Sequence, residues 1–253
     1  MTQSPPDASG AADSAEDVDV SIVIPIYNEE GILSASIADL TEKLADDPRW
    51  DHSYEIILAE NGSNDDTIPV ARELMERHPE LDLMHNPEPD YGLALRRGIL
   101  AARGDYVICD EIDLCDTDFY VRALETMDEG FDLVVGSKAL KESKDKRPLF
   151  RRFATRVLNL LLRLFLGFKG TDTHGLKAFR REPLMEVVER CVVNKDLFAS
   201  EFVIRAERMG VPSAEIPLTV VEKRKPSINL FQRVPNVLKN LVRLFWVIRI
   251  RHR

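Results

Sequence analysis

The chain contains 253 residues, of which 44% are hydrophobic and 30% are charged, and its formal net charge is −9 at pH 7. This length supports one large domain or two small ones, and the acidic balance argues against a general nucleic-acid-binding protein. The first nineteen residues hold five acids and no Lys or Arg. That composition predicts a disordered acidic tail over residues 1–17 and is not that of a signal peptide.

Strand-like and helix-like segments alternate through the first half of the chain. The pattern predicts strands over 20–27, 54–60, 81–86, 106–110 and 132–137, and helices over 30–47, 67–78, 91–104 and 117–130. This alternation indicates βαβ units and therefore an α/β fold with a mainly parallel sheet. In such sheets ligands bind beyond the carboxyl ends of the strands.

The second half has a different character. A basic stretch over 141–152 leads into a Leu-rich helix over 153–166. A further helix is predicted over 198–210, an extended segment over 211–223, and a final amphipathic helix that begins near Pro235. No segment reaches the roughly 18 to 20 uninterrupted apolar residues that a membrane-spanning helix needs. The two Leu-rich segments are suited to lie on a membrane rather than to cross it.

The polar loop after the second strand contains Glu60 and Asn61, followed by Gly62. A carboxylate and an amide at this place are suited to hydrogen-bond a nucleobase or ribose, and the glycine allows a close approach. The alternative is an ordinary turn with a helix N-cap from Asp66 or Thr67. For the loop considered by itself, the turn is the favoured interpretation.

Four acids follow the fourth strand almost at once, namely Asp110, Glu111, Asp113 and Asp116. Like charges this close resist ionising together unless water screens them or a cation lies among them. On an extended segment, residues two apart point the same way, so Glu111 and Asp113 are expected to reach one Mg²⁺ or Mn²⁺ ion. The alternative is a solvated acidic loop in which Asp116 caps the following helix.

A second candidate patch is formed by Asp172 to Gly175, where a structural role is favoured for His174. The cysteines are Cys109, Cys115 and Cys191. Their spacing is not that of a metal site, which fits reduced cytosolic thiols, and Cys115 is favoured as a small loop residue rather than a nucleophile.

The motifs stand in a characteristic order, which is IVIPIYNEE, AENGSNDDT, GLALRRGILAARGDYVICDEIDL, DLVVGSK, DTHGLKAFRRE, SEFVIRAERMG and EIPL. Over about residues 18 to 227, this order resembles a family 2 glycosyltransferase with the GT-A fold. More narrowly, it resembles the dolichol- or polyprenol-phosphate mannosyltransferase branch. The resemblance implies a GT-A domain over 18–227, followed by a basic amphipathic membrane-surface helix over 228–253.

The resemblance also implies site residues. Those implied to line the nucleotide pocket are Pro25, Tyr27, Glu29, Glu60 and Asn61. Those implied to hold the metal and the diphosphate are Asp110, Glu111, Asp113 and Arg96. Those implied to surround the sugar and acceptor, or to receive phosphates, are Asp172, Lys177, Glu201, Lys223, Arg224 and Ser227. Within this set, the catalytic roles fall to Asp113, Asp172, Arg96 and Glu201.

The implied activity is metal-dependent, inverting transfer of a sugar to a polyprenyl or dolichyl phosphate on the cytoplasmic face of a membrane. Mannose or glucose is the expected sugar, with GDP-mannose as the first expected donor and a UDP-sugar as the second. A lipid phosphate is already ionised near neutral pH, so no general base is required. One alternative is transfer to a hydroxyl acceptor, with Asp172 or Glu201 as the base. Another is a catalytically inactive scaffold subunit.

Residues 226–253 hold six Lys or Arg and no acid. Apolar residues of the expected helix fall on one stripe, namely Val234, Val237, Leu238, Leu241, Phe245 and Ile248. Together with Trp246, this pattern predicts binding to a membrane surface. The alternative is a helix docked on the body of the protein or on a partner subunit.

Overall fold

The computed structural model describes residues 17–146, 148–220 and 239–250. The strands are β1 (Val20–Ile26), β2 (Tyr54–Asn61), β3 (Leu81–Asn86), β4 (Tyr106–Cys109), β5 (Leu133–Ser137), β6 (Lys144–Asp145), β7 (Lys177–Arg180), β8 (Ser213–Pro217) and β9 (Thr219–Val220). The helices are α1 (Leu33–Asp46), α2 (Thr67–Met75), α3 (Tyr91–Ala101), α4 (Thr117–Asp128), α5 (Leu149–Leu166), α6 (Arg181–Arg190) and α7 (Phe198–Arg208). A short helical segment over 239–250 follows them, and it ends in a π-helical turn.

Seven strands form the central sheet in the order β3-β2-β1-β4-β7-β5-β8. Strand β7 runs antiparallel to β4 and β5, and the other neighbouring strands of this sheet are parallel. The predicted α/β fold with a mainly parallel sheet is therefore confirmed. Strand β7 was not predicted, because its four residues, KAFR, are too few to show a strand periodicity.

The sheet is covered on both faces, which explains why its inner strands read as continuous apolar runs. Every residue of β1 is buried. Ile22 and Ile24 point into a core shared with α1, α2 and α4, whereas Val23 points into a core shared with α3, α6 and α7. This alternation follows from the two-residue period of a strand, so both faces of β1 contribute to the stability of the domain.

Local side-chain chemistry sets several helix ends. Asp90 caps α3 by accepting a hydrogen bond from the Leu93 N–H at 3.0 Å. Helix α5 ends at Gly167, which has the left-handed φ of 73° that favours glycine. Helices α3 and α4 both follow strands of the parallel sheet, so the N-terminal ends of these two helices lie at its carboxyl edge.

The C-terminal segment 239–250 packs on the body of the protein. Leu241, Leu244 and Ile248 are buried in the core that also contains α6 and α7 residues. Phe245 contacts Phe165 of α5 edge-on, with ring centroids 6.4 Å apart. Leu241 and Ile248 of the predicted membrane-facing stripe are therefore covered by the body of the protein, as the docking alternative expected. Helical periodicity identifies an apolar face without identifying what covers it.

The rest of the predicted stripe, at Val234, Val237 and Leu238, lies outside the described residues, as does most of the predicted acidic tail. Within the described part of the chain, no helix combines the length and apolar character needed to cross a bilayer.

Candidate active site

The loops after β1 and β2 are joined to each other at the carboxyl edge of the sheet. The Asn28 N–H donates to Ser63 Oγ at 3.0 Å, and the Asn64 N–H donates to Asn28 Oδ1 at 3.0 Å. The Glu29 N–H donates to Thr67 Oγ1 at 2.7 Å. These bonds hold the loops after β1 and β2 together as one wall of a site.

The residues predicted for the nucleotide pocket lie in this wall or directly below it. Pro25 is buried within β1, Tyr27 is half-buried and Glu29 is buried. Glu60 is fully buried, and its carboxylate accepts the Ser63 N–H and contacts His85 Nδ1. The Glu60 carboxylate therefore stabilises its own turn, in agreement with the turn that was the favoured interpretation. The expected N-cap is wrong in its residue: Asp66 makes no capping side-chain hydrogen bond, and Asp65 Oδ1 accepts the Thr67 N–H at 3.0 Å instead.

Asn61 also serves the loop structure, since its Oδ1 accepts the N–H of Asp90 just before α3. Gly62 has a φ of 69°, and a Cβ there would lie 2.9 Å from Pro89 N. The glycine is needed because the loops that follow β2 and β3 approach each other closely at this point.

Two of the four acids after β4 are used inside the loop. The Asp110 carboxylate accepts hydrogen bonds from the Tyr120 hydroxyl and from the backbone of Glu111 and Asp116. Burial raises the pKa of Asp110 to about 7, although these hydrogen bonds oppose the shift. The Asp116 carboxylate accepts the Phe119 N–H at 3.1 Å and caps α4, as the alternative interpretation of this loop expected.

Glu111 and Asp113 are the two acids that face outward. Residues 112–114 form a turn, in which the Leu114 N–H donates to the Glu111 carbonyl at 2.9 Å. The expectation that Glu111 and Asp113 lie on an extended segment is therefore wrong. Glu111 is exposed and Asp113 is half-buried, and among the described residues neither carboxylate makes a hydrogen bond or ion pair with another side chain.

No group of three or more metal-binding side chains occurs within the described ranges. Two accessible carboxylates nevertheless suit Mg²⁺ or Mn²⁺, because such ions are commonly held by one or two carboxylates with the remaining ligands from phosphate and water. The donor set at Glu111 and Asp113 therefore fits an ion that arrives with a diphosphate. It does not fit an ion held entirely by protein.

Lys177 connects the acidic loop with the second predicted patch. It begins β7 and pairs with Cys109 of β4, so it lies where β4 ends. Its Nζ donates to the Gly175 carbonyl at 2.8 Å. Burial lowers the pKa of Lys177 to about 8, while the charges of Asp172 and Glu111 act in the opposite direction. The ammonium group of Lys177 is therefore near both the acidic loop after β4 and the candidate patch at residues 172–175.

Asp172 is fully buried and forms an ion pair with Lys138, with 3.7 Å between Oδ2 and Nζ. Its carboxylate also accepts the N–H groups of His174 at 2.9 Å and Lys138 at 3.2 Å. Burial alone would raise the pKa of Asp172, but the charge of Lys138 and these hydrogen bonds outweigh it and lower the pKa. The site thus contains an ionised carboxylate beside two lysines.

Lys138 was missed by the sequence analysis. It directly follows β5, so the rule that ligands bind at carboxyl ends of strands was a usable signal. Its Nζ donates to the His174 carbonyl at 2.8 Å. The His174 backbone thus helps to hold both Lys138 and Asp172, in agreement with the structural role favoured for this residue.

Two predicted catalytic residues are engaged elsewhere. The Arg96 guanidinium donates to the carbonyls of Val188 and Glu189 at the end of α6, at 3.2 and 3.0 Å. Such bonds satisfy carbonyls that a helix end leaves unpaired. In this structure Arg96 therefore holds the end of α6, and its implied role at the diphosphate stays a prediction.

Glu201 is fully buried in α7. Its carboxylate accepts the N–H groups of Val192 and Val193 at 2.9 and 2.6 Å and pairs with Arg205 Nε at 2.7 Å. These contacts fix the loop after α6 and give Glu201 a structural role, while its predicted catalytic role stays a prediction. The predicted phosphate-binding residues Lys223, Arg224 and Ser227 lie outside the described residues.

Comparison with known proteins identifies the family. The sequence profile of glycosyl transferase family 2 matches residues 21–188. The chain belongs to this family. The family assignment made from the ordered motifs is confirmed.

Two relatives are similar over most of this chain. Glycosyltransferase AglD of Haloferax volcanii is 29% identical over 253 residues, covering 98% of this chain and 40% of AglD. A dolichyl-phosphate beta-glucosyltransferase of Dictyostelium discoideum is 26% identical over 249 residues, covering 90% of this chain and 74% of that protein. This chain therefore spans less than half the length of AglD.

Solved structures share the fold. Glucosyl-3-phosphoglycerate synthase of Mycobacterium tuberculosis, solved with Mn²⁺, UDP and glucosyl-3-phosphoglycerate, has a TM-score of 0.60 at 21% identity, covering 91% of this chain and 79% of that chain. Mannosyltransferase PcManGT of Pyrobaculum calidifontis, solved with GDP-Man and Mn²⁺, has a TM-score of 0.55 at 20% identity, covering 94% and 65%. The GT-A fold expected from the motifs is confirmed.

Proposed function

We propose that this domain transfers a hexose from a nucleotide sugar to a polyprenyl or dolichyl phosphate at a membrane surface. One observation carries the proposal. The outward-facing carboxylates of Glu111 and Asp113 lie at the same sheet edge as Lys177 and the Lys138–Asp172 ion pair. Carboxylates suited to a metal–diphosphate on one side, and ammonium groups suited to a phosphate on the other, match a donor and an anionic acceptor.

Glu111 and Asp113 are the residues that would hold a divalent ion, together with oxygens of the donor diphosphate. Such an ion, when bound, neutralises the negative charge that develops on a departing nucleoside diphosphate. Asp110 contributes indirectly. Its buried carboxylate ties the backbone of Glu111 and Asp116 to Tyr120 and so fixes the turn that presents the two outer acids.

The charge state of Asp172 favours a phosphate acceptor over a hydroxyl acceptor. A general base works best when its pKa is near the operating pH, whereas the pKa of Asp172 is lowered and its oxygens are already engaged by Lys138 and His174. Glu201 is buried away in its own network. An acceptor that arrives ionised needs no base, so Lys138 and Lys177 orient its phosphate for a single displacement with inversion.

Both expected donors remain within the proposal. The Dictyostelium relative is a dolichyl-phosphate beta-glucosyltransferase by name, whereas one structural neighbour was solved with GDP-Man. We therefore propose glucose or mannose as the sugar, carried by UDP or GDP respectively, and distinguish them by assay.

The membrane contact is proposed for the outer face of α5 together with exposed residues of the C-terminal segment. Leu149, Phe153, Leu160 and Leu164 of α5 are exposed, as is Trp246. Helix α5 contains four arginines and no acid, and segment 239–250 contains no acid either. An apolar face flanked by basic residues complements an anionic bilayer surface, here the cytoplasmic face of a membrane.

The test is nucleoside-diphosphate release from UDP-glucose and from GDP-mannose, measured with a short-chain polyprenyl phosphate and with its free alcohol. We expect release with one donor and only with the phosphate, with inverted configuration in the product. Preference for the alcohol would establish the hydroxyl-acceptor alternative. No release with any pair, from protein that still binds nucleotide, would establish the inactive scaffold.

A further inference from the structure

The segment that carries Asp172 contains neither helix nor strand. It spans residues 167–176, between α5 and β7, and yet Asp172 and Thr173 within it are fully buried. Backbone groups of a buried irregular segment must find hydrogen-bond partners outside it. The partners therefore reveal which residues hold Asp172 in place.

Glu215 of β8 supplies the partner for two successive backbone N–H groups of this segment. Its Oε1 accepts the N–H of Thr171 at 2.6 Å and the N–H of Asp172 at 3.3 Å. Its Oε2 accepts the Thr171 hydroxyl at 2.7 Å. Hydrogen bonds to a carboxylate are about twice as strong as those to a neutral acceptor, so the three bonds to Glu215 restrain the segment at Thr171 and Asp172.

Helix α5 holds the same segment from the other side. Asn159 is buried, and its Nδ2 donates to the Thr171 carbonyl at 2.7 Å. Arg163 donates through its guanidinium to the Gly170 carbonyl at 2.9 Å. Because Glu215 binds the Thr171 N–H and Asn159 binds its carbonyl, the residue before Asp172 is clamped at both ends.

The fit around the clamp is close. A Cβ at Gly170 would lie 2.7 Å from Glu215 Oε1 and from Phe168 Cζ, so a larger residue there would force the carboxylate or the ring to move. Ser137 Oγ lies 2.6 Å from Thr171 Oγ1, which links the clamp to the end of β5, one residue before Lys138. A single network therefore connects Glu215 with both members of the Lys138–Asp172 ion pair.

We propose that Glu215 is a positioning residue for the transfer reaction, and that it acts by fixing the backbone on which Asp172 holds Lys138. The inference rests on the proposed function for the role of that ion pair in receiving the acceptor phosphate. Without the Glu215 carboxylate, the N–H groups of half-buried Thr171 and buried Asp172 lose their partner, and the segment shifts to recover one. The Lys138 ammonium then moves relative to the acceptor phosphate. The loops after β1 and β2, which are proposed to bind the donor, keep their positions.

Glu215→Ala and Glu215→Gln test this role, with Glu55→Ala as the matched control. Glu55 is likewise a carboxylate that binds a hydroxyl and a backbone N–H, those of Ser21 and Arg103, but it does so at the amino edge of the sheet. The measurements are amide hydrogen exchange of residues 168–176, and kcat and KM for donor and acceptor with the wild-type protein in parallel.

We expect Glu215→Ala to speed exchange of the Thr171 and Asp172 amides at least about tenfold and to lower kcat by about 10- to 100-fold, because misplacement of about 1 Å has effects of this size. The donor KM should stay within about threefold, because uniform donor binding is unchanged. Glu215→Gln, which keeps one acceptor oxygen, should recover part of kcat. Glu55→Ala should leave both exchange of this segment and kcat at wild-type values.

The inference is overturned if Glu215→Ala leaves exchange of the two amides unchanged. It is also overturned if Glu215→Ala and Glu55→Ala lower kcat by equal factors, since that indicates general destabilisation. Hydrogen exchange does not depend on substrate identity. If the wild-type protein transfers nothing, the proposed function fails, while the exchange comparison still decides whether Glu215 holds the Asp172 segment.

Discussion

Lys177 of β7 lies directly opposite Cys109 of β4 in the antiparallel register of these two strands. The pairing brings a buried ammonium group to the point where β4 passes into the acidic loop. The two residues are far apart in sequence, and only the reversed direction of β7 brings them together. This single register places the positive charge of Lys177 beside the acidic edge of the site.

The pH dependence of stability should report this buried lysine. Burial lowers the pKa of Lys177 from 10.5 to about 8. Between these two values the unfolded chain binds a proton that the folded protein does not, so the free energy of unfolding rises with pH across this window. In substrate-free protein, the wild type should gain up to about 3 kcal/mol relative to Lys177→Met from pH 8 to 10.5. Urea denaturation at several pH values measures this, and parallel curves for the two proteins would contradict it.

Replacement of Asp113, one of the two outward-facing acids after β4, should abolish sugar transfer without unfolding the domain. Asp113→Ala is expected to lower kcat at least about 100-fold, because a ligand of the ion that stabilises the leaving diphosphate is lost. Glu125→Gln, at an exposed acid of α4, is the control and should keep wild-type activity. Full turnover by Asp113→Ala, or by the wild type in excess EDTA, would disprove the role of this loop in metal binding.

The hydrogen bond between Tyr120 and Asp110 should contribute to stability. Tyr120→Phe leaves a buried carboxylate without one of its donors, so the free energy of unfolding should fall by about 1 to 3 kcal/mol. Tyr54→Phe is the comparison, because Tyr54 packs on the same Trp50 ring as Tyr120. It should cost less than about 0.5 kcal/mol. Thermal and urea denaturation measure both, and equal losses in the two variants would refute a specific role for the Tyr120 hydroxyl.

The C-terminal segment should stabilise the body of the protein. Leu244 is fully buried, so Leu244→Ala is expected to lower the free energy of unfolding by about 2 to 5 kcal/mol. Val242 is 65% exposed, and Val242→Ala should change stability by less than about 0.5 kcal/mol. A Leu244→Ala protein as stable as the wild type would mean that segment 239–250 leaves the body in solution, as the prediction of membrane-surface binding by this stripe required.

Vesicle binding should depend on the outer face of α5. Phe153→Ser and Leu164→Ser together remove two exposed apolar side chains, each of which contributes about 1.5 to 3 kcal/mol when buried. The double variant should therefore no longer sediment with anionic vesicles. Leu100→Ser, at an exposed leucine of α3, is the control. High salt should weaken wild-type binding without abolishing it, because salt screens only the arginines. Equal sedimentation of the double variant and the control would exclude this face as the membrane contact.

The sequence by itself determined the order of strands and helices in the first half. Strands such as β1 and β2 contain short apolar runs, and α1 buries Leu33, Ile37, Leu40 and Leu44 at the expected helical spacing. It also placed the acids at the end of β4, because strand ends are visible in local patterns. These features depend on residues a few positions apart, so periodicity and turn chemistry are sufficient to read them.

Only the tertiary structure decided which residues meet at the site. The pairing of Lys177 with Cys109, the ion pair of Lys138 with Asp172 and the clamp by Glu215 all join distant segments. Tertiary contacts also redirected Arg96 to the end of α6 and buried Glu201 in its own network. A charged side chain binds the partners that folding brings within about 3 Å, and a local sequence pattern carries no information about those partners.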